Sequence, residues 1–276
     1  MSGSTLRDLY TGACSLLESR FEATQIFEHI TNMRVHELVQ KGHLTAAPDT
    51  ANALLELCAQ RRAGVPLQYL LGEWEFYGLP FKVGRGVLIP RADTETLVDA
   101  ACEILKDTPA PAILDLCAGS GCIAIALGHI FPAAQVTAVE KSPHAMQYLR
   151  ENIRLNHSQV QAVQADLNDY DPPNPLDLIV SNPPYIPSGD ITGLMPELHY
   201  EPHGALDGGA DGLDFYKIIA SRCHAQLKPG GWLCFELGIG QAMPVRQILK
   251  QNGYHRIRTR DDLSGITRVI CACKDS

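Results

Sequence analysis

Apolar positions in the first quarter of the chain recur with the period of a helix. Leu6, Leu9, Tyr10, Ala13, Leu16 and Leu17 fall at i, i+3, i+4, i+7 spacing and form one amphipathic stripe. Ile26, Phe27 and Ile30 predict a second helix, and Val35, Leu38 and Val39 a third. Pro48 stands where a helix can start, and Leu54, Leu55 and Cys58 continue a stripe that Gly64 can stop. Residues 1–71 therefore read as a small helical bundle. From 72 to 90 aromatic and β-branched residues are punctuated by Gly78, Pro80, Gly84 and Gly86, which is the chemistry of a hairpin, here a linker. Beyond residue 90, apolar runs at 112–116, 135–139, 159–163, 176–180 and 232–237 read as buried strands. Helical patterns at 122–130, 143–155 and 213–227 separate several of them. That alternation predicts an α/β domain over 91–276, a parallel sheet with helices on both faces. Ligands of such sheets bind in the loops beyond the carboxyl ends of the strands.

Composition narrows the class. With 276 residues, 45% hydrophobic and 20% charged, the chain can build a core without disulfides or a structural metal. A mean hydropathy of −0.06 excludes a disordered chain, and no apolar run approaches the ~20 residues that span a bilayer. The start M-S-G-S-T-L-R-D-L-Y lacks an apolar segment followed by a small-residue cleavage site, so the expected compartment is the cytoplasm. The nine cysteines include close pairs only at Cys117/Cys122 and Cys271/Cys273, neither with the spacing of a zinc site. They read as reduced thiols, and no metal site is expected.

Net charge is −8, with 6 basic and 7 acidic residues in 1–71 and 17 and 24 in the remainder. Neither part carries the basic footprint expected of a protein that binds duplex nucleic acid. The local excess at Arg246, Lys250, Arg256, Arg258 and Arg260 fits a solvated face as well as a phosphate track.

Two loops carry candidate chemistry. The first runs from Asp115 through Cys117, Ala118, Gly119, Ser120 and Gly121 into a helix. Its glycines admit a ligand close to the backbone, and the helix N-terminus offers free N–H groups. Glu140 ends the next predicted strand, where a carboxylate can accept from both hydroxyls of a ribose. Gly119-x-Gly121-x-x-Ala124 also satisfies the dinucleotide fingerprint, so this element fits a nicotinamide cofactor and S-adenosylmethionine alike.

The second loop, Asn182, Pro183, Pro184 and Tyr185 after the strand at 176–180, discriminates between them. Prolines fix the backbone and leave carbonyls as acceptors, Asn182 adds a side-chain carbonyl, and Tyr185 adds an aromatic face. Together they cradle a planar group bearing an NH2, with stacking worth roughly 1–3 kcal/mol on a nucleobase and less on an amide. A nicotinamide-dependent oxidoreductase or a non-catalytic cofactor-binding module leaves this loop unexplained. A DNA adenine-N6 methyltransferase would use it but would need a basic groove.

The N-P-P-Y loop resembles that of methyltransferases acting on planar exocyclic or amide nitrogens. The wider sequence is similar to the peptide-chain-release-factor N5-glutamine methyltransferases, the HemK/PrmC family. The resemblance spans most of the chain. It runs through Q-Y-L-L-G at 68–72, E-F-Y-G at 75–78, L-I-P-R-A-D-T-E at 88–95, the loop at 115–121 and S-N-P-P-Y-I at 181–186. It continues through Glu201-Pro202, Ala205-Leu206 and D-G-L-D-F-Y at 211–216. It implies a seven-stranded Rossmann-like methyltransferase domain behind a helical substrate-recognition domain, S-adenosylmethionine as methyl donor, and release factors as the protein substrate. It also implies that Cys117–Gly121 wrap the methionine end of the cofactor. Glu140 would take the ribose, Asp166 and Leu167 flank the adenine, and Asn182, Pro183 and Tyr185 hold the glutamine amide. Pro90, Arg91 and Thr94 are placed near the cofactor. Cys117 departs from the family's usual glycine, so a positive φ there would strain the loop. His199 and His203, the histidines nearest N-P-P-Y in sequence, read as surface or structural residues, and no general base is expected.

Overall fold

The computed structural model describes residues 4–275. They divide into two compact units, one drawn from Met1–Glu73 with Met195–Tyr200, the other from Trp74–Leu194 with Glu201–Ser276.

In the first unit, helix α1 (Leu6–Leu17) begins with a capping box in which the Thr5 hydroxyl accepts from Asp8 N at 3.2 Å and the Asp8 carboxylate accepts from Thr5 N at 3.0 Å. Helices α2 (Arg20–Thr31), α3 (Leu38–Lys41), α4 (Pro48–Arg62) and α5 (Leu67–Leu71) follow. Ala13, Ala23, Ile26, Phe27, Leu54 and Cys58 are fully buried between them. The expected third helix is shorter than its apolar residues imply. It splits into a 3-10 turn (Val35–Glu37) and a single α turn, where Leu38 takes the inward position and Val39 is left 83% exposed. Leu55 likewise faces outward rather than joining the stripe. The partly buried guanidinium of Arg61 binds Glu22 at 2.8 Å and also Glu197, which anchors the 195–200 segment within this unit.

The second unit opens with a hairpin, β1 (Glu73–Phe76) and β2 (Leu79–Lys82), followed by α6 (Glu95–Leu105). The main sheet contains β3 (Ala112–Leu116), β4 (Gln135–Glu140), β5 (Gln161–Gln164), β6 (Leu176–Ser181), β7 (Leu227–Glu236), β8 (Tyr254–Asp261) and β9 (Thr267–Lys274). Their order is β5-β4-β3-β6-β7-β9-β8, parallel except for β9, which runs antiparallel to both neighbours. Helices α7 (Cys122–Ile130), α8 (Pro143–Leu155), α9 (Asp214–Gln226) and α10 (Ala242–Gln251) cross between strands. This is the expected α/β class with seven strands. The apolar pattern alone passed over α6, α10, β8 and β9.

From β3 the chain winds outward through β4 and β5, then returns to the other side of β3 as β6 and β7. The order therefore reverses between β3 and β6, the switch point beyond whose carboxyl ends sheets of this kind bind their ligands. Register pairs Leu116 with Ser181, so the Cys117–Gly121 loop and the Asn182–Tyr185 loop leave neighbouring strands side by side. The strands are apolar on both faces because helices cover both: α6, α7 and α8 pack on one core cluster, α9 and α10 on the other. The C-terminal basic run is tied into this unit. Arg258 stacks over Trp232 at 4.4 Å, Arg260 pairs with Asp99 and Glu103, and Arg246 donates to Ile257 O at 3.0 Å.

Candidate functional site

The first loop turns from β3 into α7 through three residues of positive φ, Cys117 at 60°, Gly119 at 55° and Gly121 at 82°. The left-handed region costs a non-glycine residue about 1–2 kcal/mol, so Cys117 does carry the strain foreseen for it. The tight turn needs Gly121, since a Cβ there would lie 2.3 Å from Leu149 Cδ1. At Gly119, by contrast, a Cβ would meet nothing within 4 Å, so open space lies beside the loop where a ligand would approach.

Glu140 holds this loop from the end of β4. Its Oε2 accepts from Gly119 N at 2.8 Å and its Oε1 from Ser142 N at 2.7 Å. Each oxygen keeps a further lone pair, so the carboxylate can order the loop and still accept from two hydroxyls. Asp166, after β5, pairs with Lys141 at 2.8 Å and accepts from Asn168, interactions that hold its carboxyl below the usual range. Leu167 beside it packs against the core. Cys117, Gly119, Glu140, Asp166 and Leu167 thus all stand at the carboxyl edge of β3, β4 and β5. Ala118 and Ser120 of the same loop are buried and support it.

Asp115, the last residue but one of β3, lies directly beneath this loop. Its side chain is fully buried. Oδ2 accepts from Ala124 N at 3.1 Å, whereas Oδ1 has no partner. Burial, reinforced by the negative Glu140, pushes this carboxyl up to about 8 despite the Ala124 bond. An orphaned carboxylate oxygen beneath a glycine-rich loop calls for a donor or cationic group from a ligand. Together with the space at Gly119 and the spare lone pairs of Glu140, it makes the loop fit a nucleoside cofactor that carries an ammonium.

The second loop leaves β6 under tight control. Ser181 Oγ donates to Leu116 O at 2.6 Å and ties the two strand ends together. Pro183 and Pro184 are buried, while Asn182 and Tyr185 are partly open. Asn182 Nδ2 donates to Thr94 Oγ1 at 3.3 Å, which leaves Oδ1 as the acceptor end of the amide. Gln241 Nε2 donates to the Tyr185 carbonyl at 2.8 Å, and Gln241 Oε1 accepts from Gly238 N at 3.0 Å, so the loop after β7 braces N-P-P-Y. Gly208 packs so closely that a Cβ would lie 2.7 Å from Tyr185 Cα.

Two further acids shape this side. Glu201 is buried, accepts from Ile89 N at 3.0 Å and pairs with Arg91, joining the I-P-R segment to the E-P motif. Glu236, at the end of β7, is 2% exposed. It accepts from Thr94 Oγ1 at 2.5 Å and, more weakly, from Tyr185 OH at 3.4 Å. Burial pushes Glu236 up to about 7 against the pull of these donors and of Arg268. Neither acid was nominated from the sequence, although an acid between Phe235 and Leu237 in an apolar strand was a visible signal. Pro90 is buried next to Arg91, and Thr94 contacts Asn182. His203 is largely exposed beside Asp207, and His199 is exposed.

Comparison with known proteins follows the same division. Residues 94–197 match the Methyltransferase small domain family and residues 12–72 the PrmC N-terminal domain. The release factor glutamine methyltransferase of Geobacter sulfurreducens is 46% identical over 225 residues, covering 81% of this chain and 78% of that protein. The corresponding protein of Moorella thermoacetica is 37% identical over 273 residues, covering 98% and 96%. Among solved structures, the T. thermophilus 16S rRNA N2 G1207 methyltransferase in complex with AdoMet and guanosine shares the fold. Its TM-score is 0.53 at 20% identity, covering 73% of this chain and 49% of that one.

Proposed function

The chain belongs to the release factor glutamine methyltransferase family, and we propose that it methylates the side-chain amide nitrogen of the glutamine in the Gly-Gly-Gln motif of peptide chain release factors. What carries this function is the orientation of Asn182 at the carboxyl end of β6, whose Nδ2 is committed to Thr94 and whose Oδ1 is thereby kept as an acceptor. S-adenosylmethionine, when bound, supplies an electrophilic methyl group on a sulfonium. The residues fitted to hold it are Cys117–Gly121, Glu140, Asp166, Leu167 and the orphaned oxygen of Asp115.

An amide nitrogen is a poor nucleophile because its lone pair is delocalised into the carbonyl. Asn182 Oδ1 and the Pro183 carbonyl act on that weakness as acceptors. Held by its two hydrogens, the substrate NH2 presents its lone pair to the methyl carbon, and Tyr185 supplies a face for the amide plane. A nitrogen that takes up the methyl group would turn cationic, and both acceptors would bind it more strongly than the neutral amide. One proton then leaves the nitrogen for water. No strong base is required, and positioning supplies most of the acceleration. The two relatives named above support release factors as substrate, and the acidic charge balance gives no support to a nucleic-acid acceptor. Among the described residues no helix is long and apolar enough to cross a membrane.

The test is the mass of a purified release factor after incubation with the protein and S-adenosylmethionine. One added methyl on the Gly-Gly-Gln peptide is expected, and Asn182→Ala should abolish it while cofactor binding persists. Cofactor binding without any added mass on release factors would overturn the substrate, and full activity of Asn182→Ala would overturn the acceptor.

A further inference from the structure

The side chains that fix Asn182 form a short chain of hydrogen bonds with a defined direction. Thr94 has one hydroxyl proton. At 2.5 Å it is donated to Glu236 Oε2, so Thr94 Oγ1 is left as an acceptor and receives Asn182 Nδ2 at 3.3 Å. The Glu236 carboxylate is the terminus, with Tyr185 OH 3.4 Å from its second oxygen. Register makes this geometry rigid. Ser181 pairs with Phe235, so the residues after each, Asn182 and Glu236, leave adjacent strands side by side, and Thr94 reaches both from the segment before α6.

We propose that Glu236 and Thr94 are positioning residues for methyl transfer. Through the Thr94 hydroxyl, the Glu236 carboxylate sets the Asn182 amide with Oδ1 rather than Nδ2 toward the substrate NH2. The proposal rests on the function given above for Asn182 and adds what selects its orientation. The two ends of an asparagine amide are nearly identical in shape, so packing alone does not choose between them. Only their opposite hydrogen-bonding character does. Reversed, Asn182 would face the substrate NH2 donor to donor, and the stabilisation of the developing cation would be lost.

The direction of the chain depends on the charge of Glu236. An ionised carboxylate can only accept, which forces the Thr94 proton toward it. A protonated Glu236 would donate to Thr94 Oγ1, turn the hydroxyl proton toward Asn182 and favour the reversed amide. The groups facing this carboxyl are Arg268 from β9, which favours the ion, and Asp93 beside Thr94, which opposes it. Tyr185, Tyr216 from α9 and the Cys122 thiol from α7 complete the surroundings. Their balance, dominated by burial, leaves the carboxyl at about 7, so the population of the working orientation changes across neutral pH.

The experiment compares Thr94→Val, which keeps the shape and removes the hydroxyl, with Thr94→Ser, which keeps the hydroxyl and removes the methyl group. Methylation of a full-length release factor is followed at saturating S-adenosylmethionine, with cofactor affinity measured separately. Thr94→Val should lower kcat/KM at least tenfold, about 1.4 kcal/mol and the scale of one orienting hydrogen bond. Cofactor Kd should change little, and Thr94→Ser should recover most of the loss. A packing role predicts the reverse order, because serine leaves a cavity and valine fills it. In parallel, wild-type kcat should climb with pH along an acid limb at or below about 7, because the cationic cofactor eases ionisation of Glu236 in the complex, and Glu236→Gln should remove that limb. A Thr94→Val enzyme as active as Thr94→Ser, or a limb that survives in Glu236→Gln, would overturn the proposal. A wild-type protein that binds the cofactor and leaves release factors unmethylated would instead overturn the function beneath it.

Discussion

Replacing Asp115 with asparagine isolates the free energy held in one buried carboxyl. The amide carbonyl can still accept from Ala124 N, so the α7 start keeps its bond, while the ionisation disappears. In the folded protein the carboxyl lies at about 8, against 3.8 as the reference for the exposed group. A raised folded value means that the folded state holds the proton longer than the unfolded chain. The stability so contributed is complete below about pH 4 and fades as pH rises through about 8. Applied between pH 5 and pH 8, that displacement amounts to roughly 3–4 kcal/mol. The unpaired NH2 of the variant adds a constant cost of about 1–3 kcal/mol, which is independent of pH. The quantity to measure is therefore the change with pH in the stability difference between wild type and Asp115→Asn, in which Glu236 and all other groups cancel. Urea unfolding followed by tryptophan fluorescence suits this, because Trp74 and Trp232 both lie in the second unit. The difference should move by roughly 3 kcal/mol in favour of the variant from pH 5 to pH 8. A difference constant to within about 0.5 kcal/mol would show that Asp115 is ionised at ordinary cost and refute the desolvation reasoning.

Substitutions at three other positions test the loops. Gly208→Ala should cut methyl transfer by roughly tenfold or more with cofactor affinity preserved, because its Cβ would meet the backbone of Tyr185 and Pro184, which cannot yield without moving N-P-P-Y. Kinetics paired with calorimetric cofactor binding will separate the two effects. Gly121→Ala should destabilise the second unit by about 2–4 kcal/mol through its positive φ and the clash with Leu149, read as a fall in urea midpoint. At Cys117, with φ 60°, valine should cost about 1–2 kcal/mol more than glycine in the same assay, since a β-branched residue tolerates the left-handed region worst.

The parts of this fold that were legible in the sequence are those whose burial is one-sided or complete. The strands β3, β4 and β6 read as apolar runs because helices cover both faces, and α1 reads as a stripe because one face is wet. The edge strand β8, Y-H-R-I-R-T-R-D, escaped because it pairs on one side only and carries charges that guard its free edge. β9 escaped for the opposite reason. Its buried V-I-C-A-C run is short and lies between charged residues, so no periodicity announces a central strand. At the site, Gly119, Gly121, Glu140 and the N-P-P-Y loop were legible because each is a local cluster following a strand. Asp115, Glu201, Glu236 and Gln241 were not. Their importance lies in partners 9 to 142 residues away, a separation that only the folded register brings together.

That register gives the two buried acids a common logic. Asp115 and Glu236 stand on β3 and β7, the two neighbours of β6, and so flank the strand that carries N-P-P-Y. Both are pushed upward chiefly by burial, and both are costly to ionise in the ligand-free fold. Near pH 7 Asp115 is mostly protonated and Glu236 is about half so, which spares the sheet the full cost of two buried anions. Binding of a cationic cofactor and formation of a cationic transition state supply the positive charge that makes ionisation cheap. The site is then most complementary to the reacting complex and least comfortable when empty, the ordering that differential stabilisation requires. The consequence is measurable. Cofactor binding should draw protons off the protein near pH 7, and calorimetry in buffers of different ionisation enthalpy should show proton release that Asp115→Asn diminishes. Proton release equal in the two proteins would assign the cofactor's charge to another partner.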